Sequence, residues 1–166
     1  MSDHARFSAG ALIRALVDAR VDFVVIGGLA AQAHGSPLIT EDLDICFDLD
    51  RNNLERLAGV LDDLAAIRRG LPEGVVAPLD EHALRAGDVF TLRTCHGDLD
   101  LLARPDPSFD YKQLRSRAVQ FDLAGITVWM ADLDDLIAMK RAAGRPKDLL
   151  AIEHLGALRD QIDHRD

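Results

Sequence analysis

Cysteine is scarce in this 166-residue chain, which carries two, Cys46 and Cys95. They form no Cys-x-x-Cys or other metal-ligand spacing, so a thiolate metal site is excluded, and a reduced, cytoplasmic protein is expected. No apolar run approaches the 18 or so residues that a membrane span needs. The opening MSDHARFSAG lacks both the charged start and the apolar core of a secretion signal. No repeat or low-complexity linker is present, and no serine sits in a motif that marks a nucleophile. Excess positive charge is missing too. With 19 Lys+Arg against 28 Asp+Glu the net charge is -9, which argues against a broad, sequence-blind nucleic-acid surface.

What is present is ordinary globular material, 48% hydrophobic and 28% charged, of a length that suits one domain over residues 1–166. Charge is uneven along it. Residues 104–147 hold 8 Lys+Arg against 6 Asp+Glu, including Lys140, Arg141, Arg145 and Lys147. A solvated helix face and a local anion site both accommodate that cluster.

Periodicity predicts helices over 5–19, 29–33, 52–69, 108–118, 132–143 and 147–159, the fifth capped by Asp132 and the third by Asp50. It predicts strands over 21–26, 42–47, 75–78, 89–95 and 99–103, and a hairpin of 120–123 with 126–130 across Ala124-Gly125. Mixed helices and strands with hairpins indicate an α+β (α/β-like) fold, a central mixed sheet flanked by helices.

Asp-Leu-Asp occurs four times, at 42–44, 48–50, 98–100 and 132–134. The copies at 48–50 and 132–134 precede helices, where capping and the helix dipole account for them. The copy at 42–44 lies inside a strand. Side chains alternate there, so Asp42 and Asp44 share one face, with Cα atoms roughly 6.6 Å apart. Gly27 and Gly28 precede it with thirteen residues intervening, between a strand and a helix start. Such a turn exposes backbone N–H groups to which a phosphate can come close. Each feature alone is also met by a plain turn and a wet sheet face. In the copy at 98–100, Asp98 adjoins the Gly97 turn, while Asp100 lies deeper and can meet Asp42 and Asp44 across neighbouring strands. Clustered carboxylates repel unless a cation lies between them, and oxygen-only ligands are what Mg²⁺ or Mn²⁺ prefers. His34 and His96 fall in turn clusters. His34 has a turn-satisfying role or a substrate contact open to it.

Ile26-Gly27-Gly28, Asp42-Leu43-Asp44-Ile45 and Leu99-Asp100-Leu101 together resemble the signature of the DNA polymerase beta-type nucleotidyltransferase superfamily. The string GGLAAQAHGSPLITEDLDI, with DLDDLIAMKRAAGRPKDLLAIEHL near the C-terminus, is more similar to its small bacterial branch, the AbiEii-like and MNT-like nucleotidyltransferases. The resemblance implies metal-dependent transfer of a nucleoside monophosphate from an NTP to a hydroxyl of RNA, such as a tRNA end, or of protein. Many members of that branch are toxins of toxin–antitoxin pairs, which makes an antitoxin protein a candidate partner. It implies that Gly27 and Gly28 cradle the triphosphate and that Asp42, Asp44 and Asp100 hold Mg²⁺ or Mn²⁺. Asp100 would also help deprotonate the acceptor, and Lys140 would contact phosphate. Thr40, Arg145, Lys147 and Asp148 complete the implied nucleotide site. Two positions depart from the pattern. Gly28 stands where many members carry Ser, and Leu38 stands near where many relatives carry Arg. These departures keep a non-catalytic nucleotide- or partner-binding relative, or a scaffold, as competing readings.

Overall fold

The computed structural model describes residues 5–165; the first four residues of the MSDHARFSAG segment, and Asp166, lie outside that range. Ser8 opens helix α1 (Ala9–Asp18), its hydroxyl accepting from Ala11 N, and Leu12, Ile13 and Leu16 are buried. The apolar spacing extends this helix back to Ala5, but the cap stops it at Ser8, whose N–H donates to His96 O instead. Strand β1 (Phe23–Ile26) is buried at every residue. Helix α2 (Gly27–Ala33) follows without a linker, and strand β2 (Asp42–Phe47) has the expected bounds. Asp50 caps α3 (Arg51–Asp63) by accepting from Asn52 N and Asn53 N.

The region 52–69 departs from its helical spacing. Helix α3 ends at Asp63, Ala65 takes a φ of 51°, and Ile67–Arg68 forms the short strand β3. Pairing of Ile67 with Arg93 and a bond from Arg69 N to Thr91 O carry this stretch onto the sheet. Residues 75–78 form no strand, and Val76 is 90% exposed. Helix α4 (Glu81–Ala86), capped by Asp80, is an element that periodicity did not reveal.

Strands β4 (Val89–Thr94) and β5 (Gly97–Leu102) form a hairpin. Helix α5 (Tyr111–Arg117) starts in a reciprocal cap between Asp110 and Gln113. Strands β6 (Val119–Leu123) and β7 (Ile126–Met130) turn at Ala124-Gly125, both with positive φ, as a tight two-residue hairpin requires. Asp132 caps α6 (Leu133–Ala143), Gly144 ends it in the left-handed conformation, and Pro146 begins α7 (Pro146–Asp163).

The seven strands lie in the order β3-β4-β5-β2-β1-β7-β6. Neighbours β2 and β5 run parallel, as do β1 and β7; the other pairs are antiparallel. This is the α+β architecture with a central mixed sheet that the element pattern indicated. Leu43, Ile45, Phe47, Leu99 and Leu101 form one fully buried row, on the side where α1 packs. Buried Asn53 accepts from Asp22 N and donates to Asp22 O and Asp48 O. It thereby fastens α3 to the end of the sheet remote from Asp44. No described helix is long and apolar enough to cross a membrane.

Candidate active site

The alternation that buries Leu43 and Ile45 turns Asp42 and Asp44 to the opposite face of β2. Strand β5 does the same with Asp98 and Asp100. Because β2 and β5 pair in parallel register, Asp42 lies opposite Asp98 and Asp44 opposite Asp100. Carboxylate oxygens of Asp42, Asp44 and Asp100 all fall within 4.8 Å of one another, and all three residues are half-buried. Asp98 belongs to β5 rather than to the turn, and its carboxylate faces Arg69.

On the other flank of β2, Ile26 is the register partner of Asp44, so the chain leaves β1 beside that carboxylate. Gly27 turns there with a φ of +67°, and any Cβ on it would collide with Asp44 Oδ2. A Cβ on Gly28 would come within 2.8 Å of Thr40 Cβ and 3.0 Å of Thr40 Oγ1. The two glycines therefore let α2 start against the carboxylates, whatever else they bind. Thr40 Oγ1 donates to Asp42 Oδ1 at 2.7 Å, holding that carboxylate from outside the strand.

Crowding leaves a clear electrostatic mark. Burial, then the charges of Asp42 and Asp100, pushes Asp44 up to about 7, against a smaller opposing pull from Lys140. Burial also raises Asp100, although the Arg69 guanidinium pulls it back. Carboxylates held this close call for a proton or a cation between them. Their donor set is oxygen alone, and hard divalent ions take that set. The residues present thus fit a Mg²⁺ or Mn²⁺ site, with Asp42, Asp44 and Asp100 as the side chains that would hold it.

A cavity of about 690 Å³ opens over the triad. Gly28 and Thr40 form one wall, and Lys140, Arg145, Lys147 and Asp148 form another. The structure so gathers every side chain singled out from the sequence, with Gly27 at the turn behind Asp44. It also alters two of their settings. Asp148 is buried and receives Lys140 Nζ at 3.3 Å, Arg145 Nε at 2.8 Å and Arg145 N at 3.2 Å. Burial alone would raise its carboxyl; the bonds from Arg145 and Lys140 outweigh that and hold it below the usual range. Arg145 is accordingly part of a helix-start clamp, while Lys147 is exposed on the cavity wall.

His34 does not line the cavity and reaches a distant segment rather than its own turn: its Nε2 lies 2.9 Å from Ala131 O and its ring meets Phe121 edge-on. Leu38 lines the cavity with Ile39, Val89 and Leu150, an apolar rim beside the charged floor. Arg69 is the residue that sequence reasoning missed. It follows β3, bonds Asp98 Oδ2 at 3.0 Å and also donates to Asp100 Oδ1. Its only local signal was an arginine before Gly70 at the end of an apparent helix.

A mixed sheet with the parallel pair β2–β5, a glycine turn after β1 and helices over the acidic face is the fold of nucleotidyltransferases. The chain belongs to the family described as nucleotidyltransferase of unknown function (DUF6036), whose sequence profile matches residues 11–165. No curated protein matches it. Among solved structures, the lincosamide antibiotic adenylyltransferase LnuA, lincomycin-bound, is similar with a TM-score of 0.61 at 12% identity, over 92% of this chain and 99% of that one. ANT(2")-Ia in complex with adenylyl-2"-tobramycin gives 0.54 at 16%, over 93% and 94%. An antigenic nucleotidyltransferase-like protein from Paracoccidioides brasiliensis gives 0.54 at 18%, over 95% and 76%. At these identities the likeness establishes the fold.

Proposed function

We propose that this chain, acting as one domain over residues 1–166, transfers a nucleoside monophosphate from an NTP to a hydroxyl and releases pyrophosphate. The observation that carries the reading is the triad: three carboxylates from two parallel strands within 4.8 Å, beside the Gly27 turn. The acceptor oxygen bonds to the α-phosphorus as the bond from that phosphorus to the pyrophosphate oxygen breaks. Asp100, at the edge of the triad toward β4, takes the hydroxyl proton. Asp42 and Asp44, with Asp100, would hold Mg²⁺ or Mn²⁺, which when bound would supply charge neutralisation of the triphosphate and of the leaving pyrophosphate. Lys140 and Lys147 hold triphosphate oxygens as point charges on the α6–α7 wall. Asp148, itself held by Arg145, sets where Lys140 stands.

Thr40 bears on the absent Gly-Ser hydroxyl. Its Oγ1 occupies room that a side chain at position 28 would need, and its one proton goes to Asp42 Oδ1. The acceptor is RNA, such as a tRNA end, or a protein hydroxyl, following the small AbiEii-like and MNT-like branch. In that branch a toxin role with a cognate antitoxin, in a cytoplasm stocked with NTP, is the matching biology. The solved relatives named for antibiotic adenylylation keep small hydroxylated molecules among the acceptors to be offered.

Label transfer tests the reading. The protein is incubated with Mg²⁺ or Mn²⁺, each α-labelled NTP in turn, and total RNA, cell protein or a lincosamide and aminoglycoside mixture. Label is expected on one acceptor, with loss of at least about a hundredfold in Asp42→Ala/Asp44→Ala, the scale of removing electrostatic stabilisation at a reacting centre. Equal labelling by that variant would refute the site. Metal-dependent NTP binding with no label on any acceptor would favour the non-catalytic binding module.

A further inference from the structure

Arg69 stands at the acidic floor of the cavity, and it lies outside the motifs that carry the family resemblance. The chain brings it there by ending α3 early and pairing β3 with β4. Its backbone N–H is fixed on Thr91 O, and its guanidinium forks, Nη1 to Asp98 and Nη2 to Asp100. Asp98 also lies 3.8 Å from Arg93, so it has a second cation available. Asp100 has no ion-pair partner but Arg69 among the described residues. The Nε of Arg69 is buried and makes no hydrogen bond. A clamp serving stability alone would leave no buried N–H unmatched, because that loss offsets much of what the ion pair contributes.

We propose that Arg69 is the built-in counter-ion of the triad. It offsets one of three carboxylate charges before a divalent cation arrives, and by that offset it sets how tightly the triad takes the cation. The inference rests on reading Asp42, Asp44 and Asp100 as cation ligands. A full positive charge held on Asp100 competes directly with a divalent ion for the same carboxylate. A bare ion is therefore held weakly, and loading favours an ion that brings its own anionic triphosphate. Arg69 acts through Asp100 and is a positioning residue.

The test is thermal unfolding of the whole chain with increasing Mn²⁺ and no nucleotide, for wild type, Arg69→Gln, Arg69→Lys and Asp98→Asn. Arg69→Gln leaves three uncompensated carboxylates. Its Mn²⁺ midpoint is expected to fall about fivefold, the scale of one charge-assisted contact in a partly wet site, and its Mn²⁺-induced shift to exceed that of wild type. Arg69→Lys keeps the charge and should follow wild type. Asp98→Asn leaves the guanidinium to Asp100 alone, so its midpoint should rise; this arm decides if Arg69→Gln does not fold. A structural clamp would lower the melting temperature of Arg69→Gln equally with and without Mn²⁺, and an unchanged midpoint would overturn the proposal. No Mn²⁺ response in wild type would instead refute the cation reading on which it stands.

Discussion

At the scale of single residues, the site is governed by how few atoms separate Asp44 from its neighbours. Asp44 titrates near 7 in the fold against 3.8 as an ordinary carboxyl. The native state thus keeps a proton that the unfolded chain has released. That contribution to stability is complete below about pH 4 and is lost as pH rises to about 7. In EDTA, the melting temperature should therefore decline across that window, and Asp44→Asn should flatten the decline. At pH 8 the variant should melt a few degrees above wild type, roughly the effect of 1–2 kcal/mol in a chain of this size, and should no longer gain from Mn²⁺. Thr40 permits a reciprocal experiment. Gly28→Ser alone should impair NTP binding, because its Cβ presses on Thr40 Cβ, whereas Gly28→Ser with Thr40→Gly, which removes that Cβ, should recover it, measured by NTP-dependent thermal shift. Cys46 gives a third check. Burial, with lesser pushes from Asp110 and Asp48, takes its thiol up to about 12, while Cys95 is exposed. A thiol reagent at pH 8 should modify one cysteine of the native chain and two of the unfolded chain.

At the scale of elements, two junctions carry the cavity. The first is β1 into α2, where Gly27 has a conformation that L residues rarely adopt and no room for a Cβ. Gly27→Ala should lower stability by about 2 kcal/mol or more through backbone strain and displacement of Asp44, with activity falling alongside, as chemical denaturation and label transfer would show. The second is α6 into α7, which Gly144 turns and Asp148 fastens. Removing one partner of a buried ion pair costs roughly 3–5 kcal/mol, and the half-exposed Arg145 reduces that. Asp148→Asn should accordingly lower the melting temperature by about 5 °C near pH 7. The depressed carboxyl of Asp148 stabilises the fold above its usual value of 3.8. That contribution is lost as pH falls through the depressed value, so the wild-type advantage should disappear in strong acid.

At the scale of the whole molecule, the acidic balance separates a local anion site from a general polyanion surface. Lys140, Lys147 and Arg145 lie on one cavity wall, and the net charge of -9 surrounds them. Bulk duplex RNA should not be retained by the protein at physiological salt in a filter-binding assay, because counterion release needs many clustered cations. An acceptor therefore has to be selected by the cavity itself, with its apolar rim of Leu38, Ile39, Val89 and Leu150.

The sequence alone determined the parts of this protein that depend on local chemistry. Alternation in 42–47 put Asp42 and Asp44 on one face, and alternation in 99–103 turned Asp100 away from Leu99 and Leu101. Caps at Asp50 and Asp132 placed the starts of their helices, the glycine at 144 the end of α6, and the Ala124-Gly125 turn its hairpin, each within a residue or two. That Asp100 can meet Asp42 and Asp44 across neighbouring strands was the expectation; the parallel register that sets Asp44 opposite Asp100 was decided by tertiary pairing, because strands distant in sequence carry no local mark of their partners. Tertiary structure alone decided the fate of 64–69. Helical spacing continues through Leu64, but cross-strand bonding to β4 outweighs a marginal last turn, and this carries Arg69 to Asp100. It also decided that Gly27 and Gly28 are small because Asp44 and Thr40 fill the space beside them. Those are contacts between segments that meet only in the folded chain, so no window of sequence contains them.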